Sequence, residues 1–587
     1  MAAMKWWGWG HEGVEFTHED KPALAPFIGE KIGVDVRRKV AAPLRFDQLE
    51  IPDPVLPDGL RAALEEAVSS KYISTEALDR TVHARGKSLR DLIWQRSGEL
   101  PRVPDVVVRP GEEDEVAAVL QAAMRFGAVV IPFGGGSSIS GSLEAPAAET
   151  RPVISVDLER MNRVLDIDGE SRLARVQAGV FGPHLEEQLA ERGYTFGHFP
   201  DSFTHSTLGG WIATRSSGMQ SDRYGDIADM TKGLRVVTPS GTLVVRPVPA
   251  TSTGPSIRQM VLGSEGRLGI ITEATVHVRR IPDRRVILGY LFPTFAVGLA
   301  AMQEIAAGDY SVSVTRVSDA HETQFSFAMR VRPTLLDRLQ SRALRIFLRR
   351  RLGYDLDQMC LSFIGYEGGE RHVAAQRRAV GRLVKRHGGL CIGSGPGALY
   401  DQKKFDIPYI RDYLLDRGAA GDVSETATTW SGLMPLYDAV TAAANGSFAQ
   451  VGVPGYVMCH LSHSYHAGAC LYFTFAFKAT SQEAMAAEYE VVKSAIQQAF
   501  VDNGATLSHH HAVGTEHAQW LEQDISAPGV AMLEALFAGT DPGRHLNPGK
   551  IVGADGRTGA RDTRPSLDWP GDGRRSVLDP GSIEARD

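Results

Sequence analysis

The chain has 587 residues, enough for two or three domains rather than one core. Its composition is that of an ordinary soluble protein, and a formal net charge of −7 gives no argument for nucleic acid as a partner. There is no apolar run long enough for a spanning helix, no apolar leader near the N-terminus and no peroxisomal address in Glu584-Ala585-Arg586-Asp587. Cys360, Cys391, Cys459 and Cys470 form no CxxC pair, so reduced thiols in a cytoplasmic protein are expected.

Residues 1–99 begin rich in tryptophan (Trp6-Trp7-Gly8-Trp9-Gly10), become rich in proline, and then take on helical spacing from Asp58 to Ser70 and from Arg80 to Gln95. They read as a helical N-terminal extension. From residue 100 the texture changes. Asp105–Pro110 and Val129–Pro132 are strand-like, and an alanine- and valine-rich amphipathic segment, Glu112–Phe126, separates them. This α/β unit runs straight into Pro132-Phe133-Gly134-Gly135-Gly136-Ser137-Ser138. Further strands and helices carry this domain to residue 281. An α+β domain over 282–525 follows, then a return segment at 526–552 and a tail at 553–587 whose Gly, Pro, Asp and Arg content reads as disorder.

Consecutive glycines let backbone N–H groups converge on a diphosphate, and serine hydroxyls add donors. The 132–138 loop is neither a Walker loop nor a GxGxxG fingerprint, and alone it is weak. Two more loops follow, Pro200–Gly218 and Gly263–Ile271. The order and spacing of all three resemble the FAD domain of the vanillyl-alcohol oxidase superfamily. The resemblance implies a vanillyl-alcohol-oxidase/PCMH-type FAD-binding domain with an α+β cap, an α+β protein overall. It implies that the first loop holds the pyrophosphate and that the other two line the ribose, adenine and isoalloxazine. The residues it assigns to FAD are Pro132, Phe133, Gly134, Gly135, Gly136, Ser137, Ser138, Asp201, Ser202, Ser206, Thr207, Gly210, Thr214, Ser217, Glu265, Gly266, Gly269, Ile270 and Ile271. No His or Cys stands in the first loop, so FAD is expected to be noncovalent.

Two clusters of proton-carrying side chains lie downstream: Cys459–His466, containing His460, His463, Tyr465 and His466, and Ser508-His509-His510-His511. Burying so many imidazoles is costly without a purpose. One subgroup of the superfamily oxidises 2-hydroxy acids and carries a metal-binding His-x6-His segment followed by a Glu-His pair. With His463 as the first His, the partner seven residues on is Cys470, and the Glu is replaced by His510. No metal is expected. Trp6–Gly10, Pro200–Met219, Pro408-Tyr409-Ile410-Arg411-Asp412, His463–Cys470 and the triple His instead resemble the alkylglycerone-phosphate synthase family of ether-lipid synthesis, over residues 5–552. Ala512, where Gly is expected, departs from that pattern.

The resemblance implies an FAD-dependent exchange with no net redox. The acyl group of acyl-dihydroxyacetone phosphate would be replaced by a long-chain fatty alcohol through a flavin N5 adduct. Tyr465 is the candidate that takes and returns a proton, with His509, His510 and His511 beside it. An ordinary phenol needs neighbouring donors or cations to act as a base at neutral pH, and the imidazoles are expected to supply them. On an extended strand, His509 and His511 would point together and His510 away. Arg411, Arg316 and His463 are candidate substrate contacts, the arginines for phosphate and carboxylate. The interleaved basic and apolar residues of 335–352 suggest a helix on an anionic membrane surface, hence a cytoplasmic, peripherally membrane-associated enzyme. A homodimer is left open. The alternatives are an FAD-dependent 2-hydroxy-acid dehydrogenase or a nonenzymatic flavin-binding remnant.

Overall fold

The computed structural model describes residues 4–308, 310–332, 335–403 and 405–553, without the side chains of 335–338, 340, 341 and 403. Apart from Gly553, the tail expected at 553–587 lies outside the described residues. Two sheets build the cofactor half. In the first, strands Ile73–Ser74, Val106–Val108, Val153–Asp157 and Val129–Phe133 lie in that order. Val153–Asp157 pairs in parallel with both neighbours that flank it. Helix Glu113–Arg125 is the crossover that parallel pairing requires. Its first turn carries three acids and its last turn an arginine, matching the helix dipole, and Val116, Val119, Leu120 and Ala123 are buried.

The second sheet is antiparallel, in the order Val164–Asp168, Leu173–Gln177, Ile270–His277, Thr231–Thr238 and Gly241–Val245. One apolar cluster packs both sheets together.

The cap is a seven-stranded antiparallel sheet: Leu390–Gly393, Arg284–Phe292, Cys360–Gly368, Val314–Ser318, Gly455–Ser464, Gly468–Lys478 and Ala419–Thr429. Strand periodicity divides its faces. Val457, Cys459 and Leu461 enter the core, while Met458, His460 and Ser462 turn to a cavity. A bulge between Leu461 and His463 breaks the alternation, so His463 also reaches the cavity.

One departure from the sequence reading concerns the N-terminal end. The first 99 residues are not merely a helical extension. Ile73–Ser74 is an edge strand of the cofactor sheet, and Trp6–Gly10 docks on the cap helix Tyr409–Leu415. At the other end, helix Leu521–Thr540 breaks at Ser526 (φ 69°), just before Pro528. The chain then returns to the first sheet, where the Val130 N–H donates to His545 (2.7 Å) and the Asn547 N–H donates to Val130 (2.9 Å).

Candidate active site

A cavity of about 560 Å³ lies between the two halves. The three glycine-rich loops form one end, with Arg316, Arg411, His460, His463, His510 and His511 around it. A further part of its wall, an apolar arm, includes Phe27, Ile28 and Ile32 of helix Leu24–Ile32 and Phe325 of the cap, with Lys21 and Lys31 beside them.

The first loop fits a diphosphate. The backbone N–H groups of Gly134, Gly135, Gly136, Ser137 and Ser138 donate to no protein acceptor among the described residues, although the loop lines the cavity. Five unspent donors on a cavity-lining loop are what an anion's oxygens require. Gly136 has φ 68°, a left-handed conformation open to glycine at little cost.

Several other residues assigned to the cofactor spend their polar atoms within the protein. Thr207 caps helix Leu208–Thr214, and the Trp211 indole donates to Ser206 (2.6 Å), which also bonds Ser202. Thr214 donates to the Gly210 carbonyl and Ser217 to Asp226 (2.6 Å). Glu265 is buried and accepts from Ser142 and from the N–H groups of Val513 and Gly514, which fastens the third loop to the histidine segment. Asp201, Gly210, Gly266, Gly269 and Ile271 line the cavity, whereas Ile270 points into the core.

The histidine segment is an irregular loop rather than a strand, so the expected grouping fails. His510 and His511 face the cavity and His509 turns to Tyr465. Glu425, from the cap strand Ala419–Thr429, organises all three. Its fully buried carboxylate accepts from the N–H groups of His509, His510 and His511 at 2.9–3.0 Å and from the Ser508 hydroxyl at 2.9 Å. Burial would raise this carboxyl, but the neighbouring imidazoles, His510 foremost, prevail and hold it well below the ordinary range. Burial likewise opposes charge on His510, yet Glu425, 3.3 Å from its Nδ1, raises its pKa. Burial is the main cause that keeps His463, His509 and His511 below the usual imidazole value. Of these four imidazoles only His510 has its pKa raised, so the cluster favours positive charge there.

A continuous hydrogen-bonded row leads away from that charge. His510 Nδ1 lies 2.8 Å from His509 Nδ1, His509 Nε2 lies 2.5 Å from the Tyr465 oxygen, and Tyr465 donates to Asp226 at 2.7 Å. One protonation pattern satisfies every link: His510 donates to His509, His509 to Tyr465, and Tyr465 to Asp226. Burial tends to raise the Asp226 carboxyl, but His463, His509 and the bonds from Ser217 and Tyr465 hold it at about 2.

This corrects the expectation for Tyr465. Burial and the Asp226 carboxylate raise its pKa, so the phenol keeps its proton. Tyr465 is also 36% exposed and stands behind the cavity wall. His466 is exposed.

The two arginines are anchored. Arg411 is buried, donates to the Lys87 carbonyl and lies 3.6 Å from Asp422. Its helix is clamped from the N-terminal segment, where the Trp9 N–H donates to Asp412 (2.9 Å) and the Lys5 ammonium lies 3.6 Å from the same carboxylate. Arg316 donates to Glu322 (2.8 Å) and approaches His460 (3.2 Å).

Asp226, Glu425, Glu322 and Asp422 were missed by sequence reasoning, because each is a lone acid in an unremarkable stretch. Asp222 was missed as well. It accepts from the Thr315 N–H and hydroxyl and from the Ser464 N–H, and so staples the cofactor half to two cap strands.

His463, Cys470, His509 and His510 place potential metal-ligand atoms within 4.8 Å of one another. Each is satisfied without an ion. His463 bonds the Gly218 carbonyl and Ser462, and His509 and His510 bond as above. Burial, then Glu425, keeps the Cys470 thiol protonated.

Comparison with known proteins agrees with this geometry. Residues 104–245 match the FAD binding domain model and residues 281–551 match that of the FAD linked oxidases, C-terminal domain. An alkyldihydroxyacetonephosphate synthase of Dictyostelium discoideum is 36% identical over 572 residues, covering 94% of this chain and 93% of its own. The chain belongs to the alkyldihydroxyacetonephosphate synthase family. A second member, from Trypanosoma brucei brucei, is 33% identical over 94% of this chain and 92% of its own. A solved alkyldihydroxyacetonephosphate synthase superposes with a TM-score of 0.81 at 34% identity, covering 93% of this chain and 98% of its own. The cofactor of this two-domain, vanillyl-alcohol-oxidase-type fold is FAD. The synthase reading is favoured over the 2-hydroxy-acid dehydrogenase.

Proposed function

We propose that the chain exchanges the acyl group of acyl-dihydroxyacetone phosphate for a long-chain fatty alcohol, giving the alkyl ether of dihydroxyacetone phosphate. The observation that carries this reading is one cavity with an anion-binding, imidazole-lined end at the FAD loops and an apolar arm. An aliphatic chain suits the arm, and a phosphate or a departing carboxylate suits Arg411 and Arg316. Bound FAD would supply an electron-accepting ring system. The Gly134–Ser138 amides hold its diphosphate, and Glu265 keeps the third loop in register with the histidines.

Proton movement falls to the imidazole wall. His511 is the neutral imidazole on the cavity side, with Nδ1 3.5 Å from Glu425, and it receives a proton at Nε2. His510 contributes positive charge where a carboxylate leaves. Tyr465, which keeps its proton, joins His509 to Asp226 behind that wall and fixes the orientation of the row. Lipid substrates also place the enzyme on a membrane surface, with helix Leu335–Arg351 as the contact. Among the described residues no helix is long and apolar enough to cross a membrane.

The test is anaerobic incubation of the purified protein with palmitoyl-dihydroxyacetone phosphate and hexadecanol, and separately with a panel of 2-hydroxy acids. Ether product without reduction of a redox dye supports the exchange. Bleaching of the flavin by a hydroxy acid, with no ether formed, would overturn it.

A further inference from the structure

A second cavity, of about 610 Å³, adjoins the mouth of the apolar arm. Arg342, Arg345, Arg349 and Arg350 of helix Leu335–Arg351 line it, with Arg330 from the end of the neighbouring cap helix. None of the four helix arginines forms an ion pair or hydrogen bond among the described residues, so their charges are uncompensated. Phe327 and Arg330 line both cavities, and Pro22 and Ala23 lead directly into the helix that carries the arm's Phe27, Ile28 and Ile32. Ile346 (48% exposed) also lines the cavity, Phe347 (44%) and Leu352 (43%) are exposed close to it in the chain, and Leu348 anchors the helix in the cap core.

We propose that this arginine-lined cavity binds the phosphate headgroup of an anionic membrane phospholipid and thereby sets the mouth of the arm against the acyl chains of the bilayer. The charge calls for an anion with several oxygens, which guanidinium forks bind bidentately. The exposed apolar side chains and the shared wall with the arm select an anion that carries aliphatic chains. A soluble phosphate would have no use for Phe347 or Leu352. The proposal rests on the lipid-exchange reading for its biological use but not for its test.

The test is co-sedimentation of the full-length FAD-loaded protein with phosphatidylcholine vesicles, with or without a third of phosphatidylglycerol. Sedimentation reads binding and not turnover, so a failed exchange assay would not affect it. The double variant Arg345→Ala/Arg349→Ala removes two cavity arginines. The control Arg371→Ala/Arg382→Ala removes two arginines that are likewise exposed but lie on helix Glu370–Arg386, outside the cavity and the contact helix. At about 1 kcal/mol per arginine near an anionic surface, the cavity variant should lose about tenfold or more in partition. The control should stay within about twofold, since its arginines are not held against a headgroup. Flavin absorbance and melting temperature of both variants should match the wild type. Equal losses in the two variants would mean diffuse attraction and overturn the proposal, as would wild-type partition in the cavity variant. Inorganic phosphate is the second probe. If it occupies the site as tightly as the vesicles do, and the cavity variant alone loses that binding, the site serves a soluble anion and the proposal fails.

Discussion

Glu425 is where one atom exchange should cost most. Glu425→Gln keeps the shape of the side chain and one acceptor oxygen. It turns an amide NH₂ toward the backbone N–H of His509, which now donates to both carboxylate oxygens at 2.9 and 3.0 Å. It also removes the only carboxylate within ion-pair distance of His510 among the described residues. Losing one partner of a buried charged pair costs about 3–5 kcal/mol. Charged to the active position of the loop, that is about two to four powers of ten in turnover. The pH dependence should change with it. Glu425 raises the pKa of His510 against burial, so without it burial wins and the imidazole loses its proton at lower pH. The alkaline limb of kcat/KM set by His510 should therefore move down. The assay is ether formation against pH, with flavin absorbance and a melting curve to show that the variant is folded and loaded. A variant with the wild-type rate and an unmoved alkaline limb would refute both the anchoring and the charge assignment.

Tyr465→Phe removes the link between His509 and Asp226; exchange should fall by about a hundredfold or more with FAD retained, and wild-type turnover would end its assigned role. Gly10→Ala puts a methyl group 2.5 Å from the Tyr409 hydroxyl at a position with φ 71°; the helix carrying Arg411 should shift, raising the KM for the phosphate substrate several-fold while kcat holds. Asp319 has its pKa raised to about 7, because burial outweighs its bonds from Glu322, Tyr437 and Cys459. The folded state holds that proton more tightly, so this residue's contribution to stability is complete below the unfolded carboxyl value of about 4 and is lost as pH rises through about 7. Asp319→Asn should therefore gain in melting temperature relative to the wild type between those limits, as read by melting curves across pH. Acid precipitation should release the flavin into the supernatant, whereas yellow pellets would contradict noncovalent binding.

The cofactor half was legible because its signals are local. Glycines cluster where the chain must bend close to a ligand, and the strand–helix–strand rhythm around 105–132 is set by residues adjacent in sequence. The triple histidine and Tyr465 were visible as unusual residues in short runs. Their geometry was not, because it depends on Glu425 and Asp226, which come from other segments and carry no motif. The strand rule grouped His509 with His511, but the segment is irregular, since four of its donors converge on one carboxylate instead of a ladder. The phenol's environment was misjudged for the same reason. Nearby imidazoles could be read from sequence, whereas the carboxylate that outweighs them could not. The basic helix at 335–351 was legible as a charged surface, but the cavity beneath it requires knowing which neighbour the helix packs against.

The clamp from Trp9 to Asp412 joins residues 403 apart in the chain. At 5–20 residues per second, a ribosome needs about 20–80 s to produce the acceptor after the donor has emerged. Three tryptophans must wait that long without their seat. Fastening of the helix that carries Arg411 is thus a late event of biogenesis, and a bulky tag fused ahead of Met4 would sit where that final docking takes place.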